Sequence, residues 1–122
     1  MLNRLQGVFS SLQKHDVKYL VIGGIASVLY GVPRATFDLD ILIAATPDNV
    51  GRLLAAFTDA GLATALMTNP GEVLNNEITI FKDRVRIDVQ TRTPGLNFDD
   101  AWNRRITMQS VFPRVIRNIL RM

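Results

Sequence analysis

The sequence predicts one domain of mixed α/β (α+β) architecture, with helices mainly on one face of a mixed β-sheet. Three features indicate this fold: apolar residues at helical spacing, short apolar runs typical of strands, and turn residues between them. The chain of 122 residues is long enough to form a hydrophobic core as a single domain, which we expect to span residues 1–122.

Three segments without a candidate site residue have the pattern of helices. In the first, apolar residues recur at helical spacing, at Leu2, Leu5, Val8, Phe9 and Leu12. In the second, Thr46 is a suitable N-cap and Pro47 a suitable first residue for a helix that stops near Gly61. Residues 98–105 form a third, shorter candidate.

Three other segments have the pattern of strands. Residues 17–22 form a short apolar run, which predicts a buried strand. Residues 77–81 and 84–90 alternate between apolar and polar side chains, and Lys82 and Asp83 lie between these two runs. This arrangement predicts an antiparallel hairpin.

Two carboxylates stand two residues apart in another strand-like run. In a strand, Asp38 and Asp40 project from one face, while Leu39, Ile41 and Ile43 project into a core on the other. Two like charges about 5 Å apart repel by roughly 3 kcal/mol at an effective dielectric of about 20, so a bound cation such as Mg²⁺ or Mn²⁺ is one explanation. An edge strand with a charged solvent face also explains the pair when it is taken alone.

A glycine pair follows the buried strand. Gly23 and Gly24 precede a helix-length segment that we expect to end at Gly31, before Pro33. Glycine lets a phosphate approach the backbone closely, and the N-terminus of a helix favours an anion. A tight turn without a ligand is the alternative interpretation of the glycine pair.

A third carboxylate lies in the second strand of the predicted hairpin. Val85, Ile87 and Val89 mark one face of that strand, so Asp88 lies on the other face and can share a surface with Asp38 and Asp40. Taken singly, Asp88 is better explained as a solvated strand residue. The combination of three carboxylates favours a metal site.

In these motifs the chain resembles the nucleotidyltransferase superfamily to which DNA polymerase beta belongs, and especially its small bacterial stand-alone or antitoxin-like members. The resemblance rests on the glycine pair, on Asp38 and Asp40 after a helix-length spacer, and on Asp88 in a later strand. It covers residues 18–91. The fold that it implies is nucleotidyltransferase-like.

The resemblance implies an enzyme, a metal-dependent and nucleotide-binding transferase. Such an enzyme moves a nucleoside monophosphate from a nucleoside triphosphate to a small-molecule, RNA or protein acceptor. By the same resemblance, Asp38, Asp40 and Asp88 are the catalytic residues and hold two magnesium (or Mn²⁺) ions together with the bound triphosphate. Two such ions clamp both sides of an in-line displacement at phosphorus.

The resemblance also assigns the nucleotide-binding residues. In the family, the glycine pair opens the helix that holds the nucleotide phosphates, which places Gly23 and Gly24 in this role. Arg34 and Thr36, which precede the paired acids, match a pattern common among the small bacterial members. We therefore expect these four residues to contact the nucleotide.

A second hypothesis comes from the antitoxin-like members of the same family. The chain is then a catalytically weak nucleotidyltransferase-like module that binds a second protein, as in a toxin-antitoxin pair. All three acids are present, whereas the loss of one of them would have favoured this alternative.

Composition narrows the class of protein. With 48% hydrophobic and 20% charged residues, the chain is typical of a folded globular protein, and it has no cysteine for a disulfide or a thiolate metal site. No basic-then-apolar leader opens the sequence, and no apolar run reaches about 20 residues. We expect a cytoplasmic protein without a membrane segment.

The net charge of +3 equals the contribution of three C-terminal arginines, Arg114, Arg117 and Arg121. Their spacing predicts a helix over residues 113–121, with an apolar stripe at Val115, Ile116, Ile119 and Leu120. This helix either packs on the core of its own chain or meets an anionic acceptor or another chain. We expect a homodimer or a helical partner protein.

Overall fold

The structure is a computed structural model, and it describes residues 2–22, 38–109 and 116–119. Four α-helices are present in this part of the chain: α1 (Leu2–Lys14), α2 (Pro47–Asp59), α3 (Pro70–Asn75) and α4 (Phe98–Asn103). A 3-10 helix covers Ala63–Met67. The strands are β1 (Tyr19–Ile22), β2 (Asp38–Ile43), β3 (Ile78–Lys82), β4 (Arg86–Gln90), β5 (Ile106–Gln109) and β6 (Ile116–Ile119).

The described strands form one mixed sheet in the order β3-β4-β2-β1-β6-β5. β2 lies between β1, to which it is antiparallel, and β4, to which it is parallel. β3 and β4 form the predicted antiparallel hairpin, with Phe81 opposite Ile87. The mixed α+β fold expected from the sequence is therefore confirmed.

Helices α1 and α2 pack together and cover one face of the sheet. Their buried residues join Leu39, Ile41 and Ile43 of β2 in a single apolar cluster. Within this cluster the rings of Phe57 and Phe81 meet edge to face, with centroids 5.0 Å apart. Burial of large aromatic side chains in this way is a main source of folding free energy.

The predicted start of the second helix is confirmed. The Thr46 hydroxyl accepts a hydrogen bond from Asn49 N at 3.2 Å, and Pro47 occupies the first turn. The helix ends at Asp59, and Gly61 then adopts a φ of +84°, which glycine tolerates better than other residues. None of the helices in the described part of the chain has the length and hydropathy that a membrane span requires.

The prediction of a C-terminal helix over residues 113–121 is wrong for its centre. Ile116–Ile119 forms β6, which pairs in parallel with β1 and antiparallel with β5. Without β6, the buried strand β1 would have backbone N–H and C=O groups without hydrogen-bond partners on one side. The remaining residues of the predicted helix lie outside the described ranges.

The second face of the sheet is divided between apolar and polar residues. Leu20, Ile22 and Leu42 are buried, although they lie on the face opposite α1 and α2. Asp40 lies two residues before Leu42 on the same face, at the position opposite Ile22. The carboxylate-bearing part of the sheet therefore begins where a buried apolar surface ends.

Candidate carboxylate site

The register of two parallel strands brings two of the predicted carboxylate residues side by side. Asp40 of β2 and Asp88 of β4 are Cα partners. Neighbouring strands lie about 4.8 Å apart, and paired residues of adjacent strands point to the same face. Asp40 is half-buried, and the side chain of Asp88 is 19% exposed. Two acids thus share one partly desolvated surface.

Asp38 lies two residues before Asp40 on the same strand, and therefore on the same face. Its Cα partner on β4 is Arg86. The backbone of Asp38 is described, whereas its side chain lies outside the described part of the chain. The register thus gives three acidic positions and one arginine position in a two-by-two block on β2 and β4.

Arg86 forms an ion pair with Asp88 along its own strand. Arg86 Nε donates to Asp88 Oδ1 at 3.0 Å, and Arg86 Nη2 lies 3.5 Å from Asp88 Oδ2. The guanidinium therefore faces both oxygens of the carboxylate, an arrangement typical of strong arginine–carboxylate pairs. The arginine side chain is 40% exposed. A cationic group of the protein thus already neutralises one member of the acidic block.

The strand that precedes the glycine motif in the sequence ends at this surface. β1 ends at Ile22, whose Cα partner is Asp40, and the next two residues in the sequence are Gly23 and Gly24. The glycines themselves lie outside the described residues, as do Arg34 and Thr36. The predicted nucleotide-binding roles of these four residues therefore stay predictions.

Strand β3 borders the acidic block on its other side. Ile80 is opposite Asp88, and Ile78 is opposite Gln90, so both isoleucines lie on the carboxylate face. Their exposures are 52% and 50%. Because β3 ends the described sheet, these residues give the acidic block an apolar, accessible border.

A separate cleft of about 470 Å³ opens near the opposite end of β1. Lys18, Arg52 and Trp102 contribute to its lining, together with Tyr19 at the start of the strand. The guanidinium of Arg105 lies 3.8 Å from the centroid of the Trp102 ring. Since Tyr19 and Ile22 are at opposite ends of β1, this cleft is distinct from the carboxylate block.

The sequence analysis assigns no role to Arg86, although the spacing places it on the same polar face of the strand as Asp88. An arginine two residues before an acid on a strand is common on solvated surfaces. Arg86 differs from such surface arginines because it lies opposite Asp38, and this position depends on the pairing of β2 with β4. Such non-local pairing is not encoded in the spacing of β4 alone.

The donor chemistry of the block fits a divalent cation. Carboxylate oxygens are preferred ligands of Mg²⁺ and Mn²⁺, and such ions commonly use one or two carboxylates plus oxygens from substrate or water. Asp40 and Asp88 meet this requirement by position, and Arg86 shows that the block accommodates a positive charge. Among the residues described, no group of three or more His, Cys, Asp or Glu side chains is placed to hold a metal.

Comparisons with protein-family models, with curated proteins and with solved structures gave no match to this chain.

Proposed function

We propose that this protein is a metal-dependent nucleotidyltransferase. It transfers a nucleoside monophosphate from a nucleoside triphosphate to an acceptor that is a small molecule, an RNA or a protein. The observation that carries the proposal is the pairing of Asp40 with Asp88, with Asp38 one step along the same face. The sequence resemblance supports it, because it assigns the same three residues to metal binding.

The three acids have distinct roles in this proposal. Asp38 and Asp40 would hold the metal ions that accompany the triphosphate, and Asp88 would be a further ligand of one of these ions. Asp88, beside Asp40 on the neighbouring strand, would accept or orient the proton of the attacking hydroxyl group. When bound, the divalent ions supply stabilisation of the negative charge that develops on the attacking and leaving oxygens.

The end of β1 and the isoleucines of β3 lie on opposite sides of the acidic block, as binding of two substrates would require. Gly23 and Gly24 follow the strand end next to Asp40, so backbone amides there would reach the triphosphate. Ile78 and Ile80 lie on the accessible side of Asp88, which is the side from which an acceptor would approach. The nucleotide and the acceptor would then meet over the block from opposite sides.

A labelling experiment tests this function and identifies the class of acceptor. The protein is incubated with each α-labelled nucleoside triphosphate, with Mg²⁺ or Mn²⁺, and with a cell lysate fractionated into small molecules, RNA and protein. We expect label to appear in one fraction, with one preferred nucleotide, and only when the divalent ion is present. The Asp40→Asn variant, assayed beside the wild type, should label nothing above background.

Absence of metal-dependent labelling in every fraction, with protein that is folded and binds Mn²⁺, would contradict the proposed reaction. Equal labelling by wild type and Asp40→Asn would show that a contaminating enzyme is responsible. Either result would leave the fold unchanged and remove the function.

A second candidate function is that of a partner-binding module of the toxin-antitoxin type. The observation that favours it is the group of exposed large apolar side chains in the described residues, Leu66, Met67, Ile78 and Ile80. Ile78 and Ile80 lie on β3, which has a hydrogen-bonded neighbour on one side only within the described sheet. Strands with this combination are frequent sites of pairing with another chain.

Sedimentation of the purified protein distinguishes a self-associating module from a monomer. If β3 is the contact, a species larger than a monomer at micromolar concentration should become monomeric on Ile80→Lys, whereas Leu66→Lys should have a smaller effect because it lies outside the strand. A wild-type monomer that recruits no partner protein, yet transfers nucleotide at an ordinary enzymatic rate, would contradict the module hypothesis.

A further inference from the structure

We propose that Arg86 is a positioning residue that competes with divalent cations for Asp88. Its guanidinium holds the carboxylate when no metal is present and must release at least one oxygen before that carboxylate can ligate a metal or accept a proton. The inference rests on the proposed function for its metal, but the competition itself is measured without nucleotide or acceptor.

The ion pair of Arg86 with Asp88 occupies both oxygens of the carboxylate. The guanidinium of Arg86 lies 3.0 Å and 3.5 Å from the two oxygens of Asp88. Both oxygens are thus engaged by the same cation. A divalent ion approaching Asp88 meets a carboxylate whose acceptor positions toward Arg86 are already filled.

Arg86 has neighbours of opposite charge on the two adjacent strands. Its Cα partners are Asp38 on one side and Lys82 on the other, so the residue lies between an acidic and a basic position. With 40% of its side chain exposed, Arg86 has room to turn away from Asp88 toward solvent. In the metal-loaded protein, a cation held by Asp38, the neighbouring position on β2, would repel the guanidinium of Arg86. This repulsion favours movement of the Arg86 side chain toward solvent.

Electrostatic repulsion acts within the acidic block. Like charges in neighbouring positions of β2 and β4 repel one another, and Arg86 offsets that repulsion at Asp88. A bound divalent ion relieves the same repulsion more completely. Arg86 and the metal therefore both stabilise the block by reducing repulsion between its carboxylates. When one of them is bound, the other adds less stabilisation.

The test measures Mn²⁺ binding to the metal-free protein by electron paramagnetic resonance, in the absence of nucleotide. The variant is Arg86→Met, which keeps much of the side-chain length and removes the guanidinium. We expect the variant to bind Mn²⁺ about tenfold more tightly, the size of effect that loss of one charge-assisted competitor produces. We also expect Mn²⁺ to raise its melting temperature by more than it raises that of the wild type.

The matched control is Lys82→Met. It removes the same charge from the neighbouring position on β3, opposite Arg86, where the structure gives no hydrogen bond to Asp88. General relief of positive charge should tighten Mn²⁺ binding only slightly, by about twofold, because Lys82 is exposed. A much larger change for Arg86→Met than for Lys82→Met therefore supports direct competition.

Equal changes in the two variants, or weaker Mn²⁺ binding by Arg86→Met, would overturn the inference, because Arg86 would then be an ordinary surface charge or a support for the ligating carboxylate. No Mn²⁺ binding by wild type and variant would overturn both the inference and the metal site. Tighter binding by Arg86→Met without any nucleotide transfer would support the inference and remove only the transfer reaction. If Arg86→Met does not fold, Arg86→Lys, which keeps the charge and loses the fork, should still bind Mn²⁺ more tightly than wild type.

Discussion

Replacement of Asp40 by Asn should lower the rate of nucleotide transfer by about a thousandfold while the protein remains folded. Asp40 is half-buried beside Asp88, so its charge is partly shielded from water. Asn keeps the shape and one carbonyl acceptor but removes the negative charge that holds a cation. Steady-state labelling with the preferred triphosphate measures the effect.

The stability of the same variant distinguishes a site from a structural residue. Loss of one charge next to Asp88 relieves repulsion, so the free energy of unfolding of Asp40→Asn without metal should equal or exceed that of wild type. Stabilisation by Mn²⁺ should disappear. The control is Asp99→Asn in the exposed first turn of α4, which should change neither activity nor metal response. More than about a tenth of wild-type activity in Asp40→Asn would contradict the assignment.

Replacement of Asn49 by Leu should destabilise the fold by about 3 kcal/mol or more. Asn49 is 1% exposed. Its side chain accepts a hydrogen bond from Lys18 N at 2.8 Å and donates to Lys18 O and Ala44 O, each at 3.0 Å. These bonds join the residue before β1 to the residue after β2. A leucine side chain forms none of these hydrogen bonds, so Lys18 N, Lys18 O and Ala44 O each lose one partner.

Urea unfolding followed by circular dichroism measures this cost. The control is Asn75→Leu at the exposed end of α3, where the change should stay within about 0.5 kcal/mol. The Asn49→Asp variant keeps the acceptor for Lys18 N, but it loses both donated hydrogen bonds and places a buried negative charge beside Lys18 O and Ala44 O. We therefore expect Asn49→Asp to be strongly destabilised although one of the three hydrogen bonds is kept. A near wild-type midpoint for Asn49→Leu would contradict the role of Asn49.

The strands and helices that were predictable have their cause in nearby residues. Leu39, Ile41 and Ile43 alternate with polar residues, and this alternation alone decides which face of β2 is buried. The start of α2 is equally local, because Thr46 and its hydrogen-bond partner Asn49 are three residues apart. Such elements follow from period and capping, without knowledge of the rest of the chain.

The wrong prediction at the C-terminus had a non-local cause. The apolar positions Ile116 and Ile119 are compatible with a helical stripe, and nothing within the segment excludes it. Pairing with β1, about 100 residues earlier in the chain, provides the backbone hydrogen bonds that favour a strand instead. A short segment with ambiguous periodicity adopts the conformation that its tertiary neighbours require.

The candidate site was predictable in part for the same reason. The alternation in each strand places Asp40 and Asp88 on polar faces, but it does not decide which strands are neighbours. The parallel pairing of β2 with β4 makes the two acids adjacent and brings Arg86 beside Asp38. Asn49 was missed because its partners Lys18 and Ala44 belong to other segments of the chain.

The position of the transferred label tests the proposed reaction most directly. Two parallel incubations use the same nucleoside triphosphate, labelled at the α-phosphate in one and at the γ-phosphate in the other, with the identified acceptor and Mg²⁺. Nucleotidyl transfer predicts that the acceptor gains label from the α-position only, that pyrophosphate forms in equal amount, and that Asp40→Asn does neither. Label that reaches the acceptor from the γ-position, or pyrophosphate release that is unaffected by Asp40→Asn, would contradict a nucleotidyltransferase centred on the carboxylates of β2 and β4.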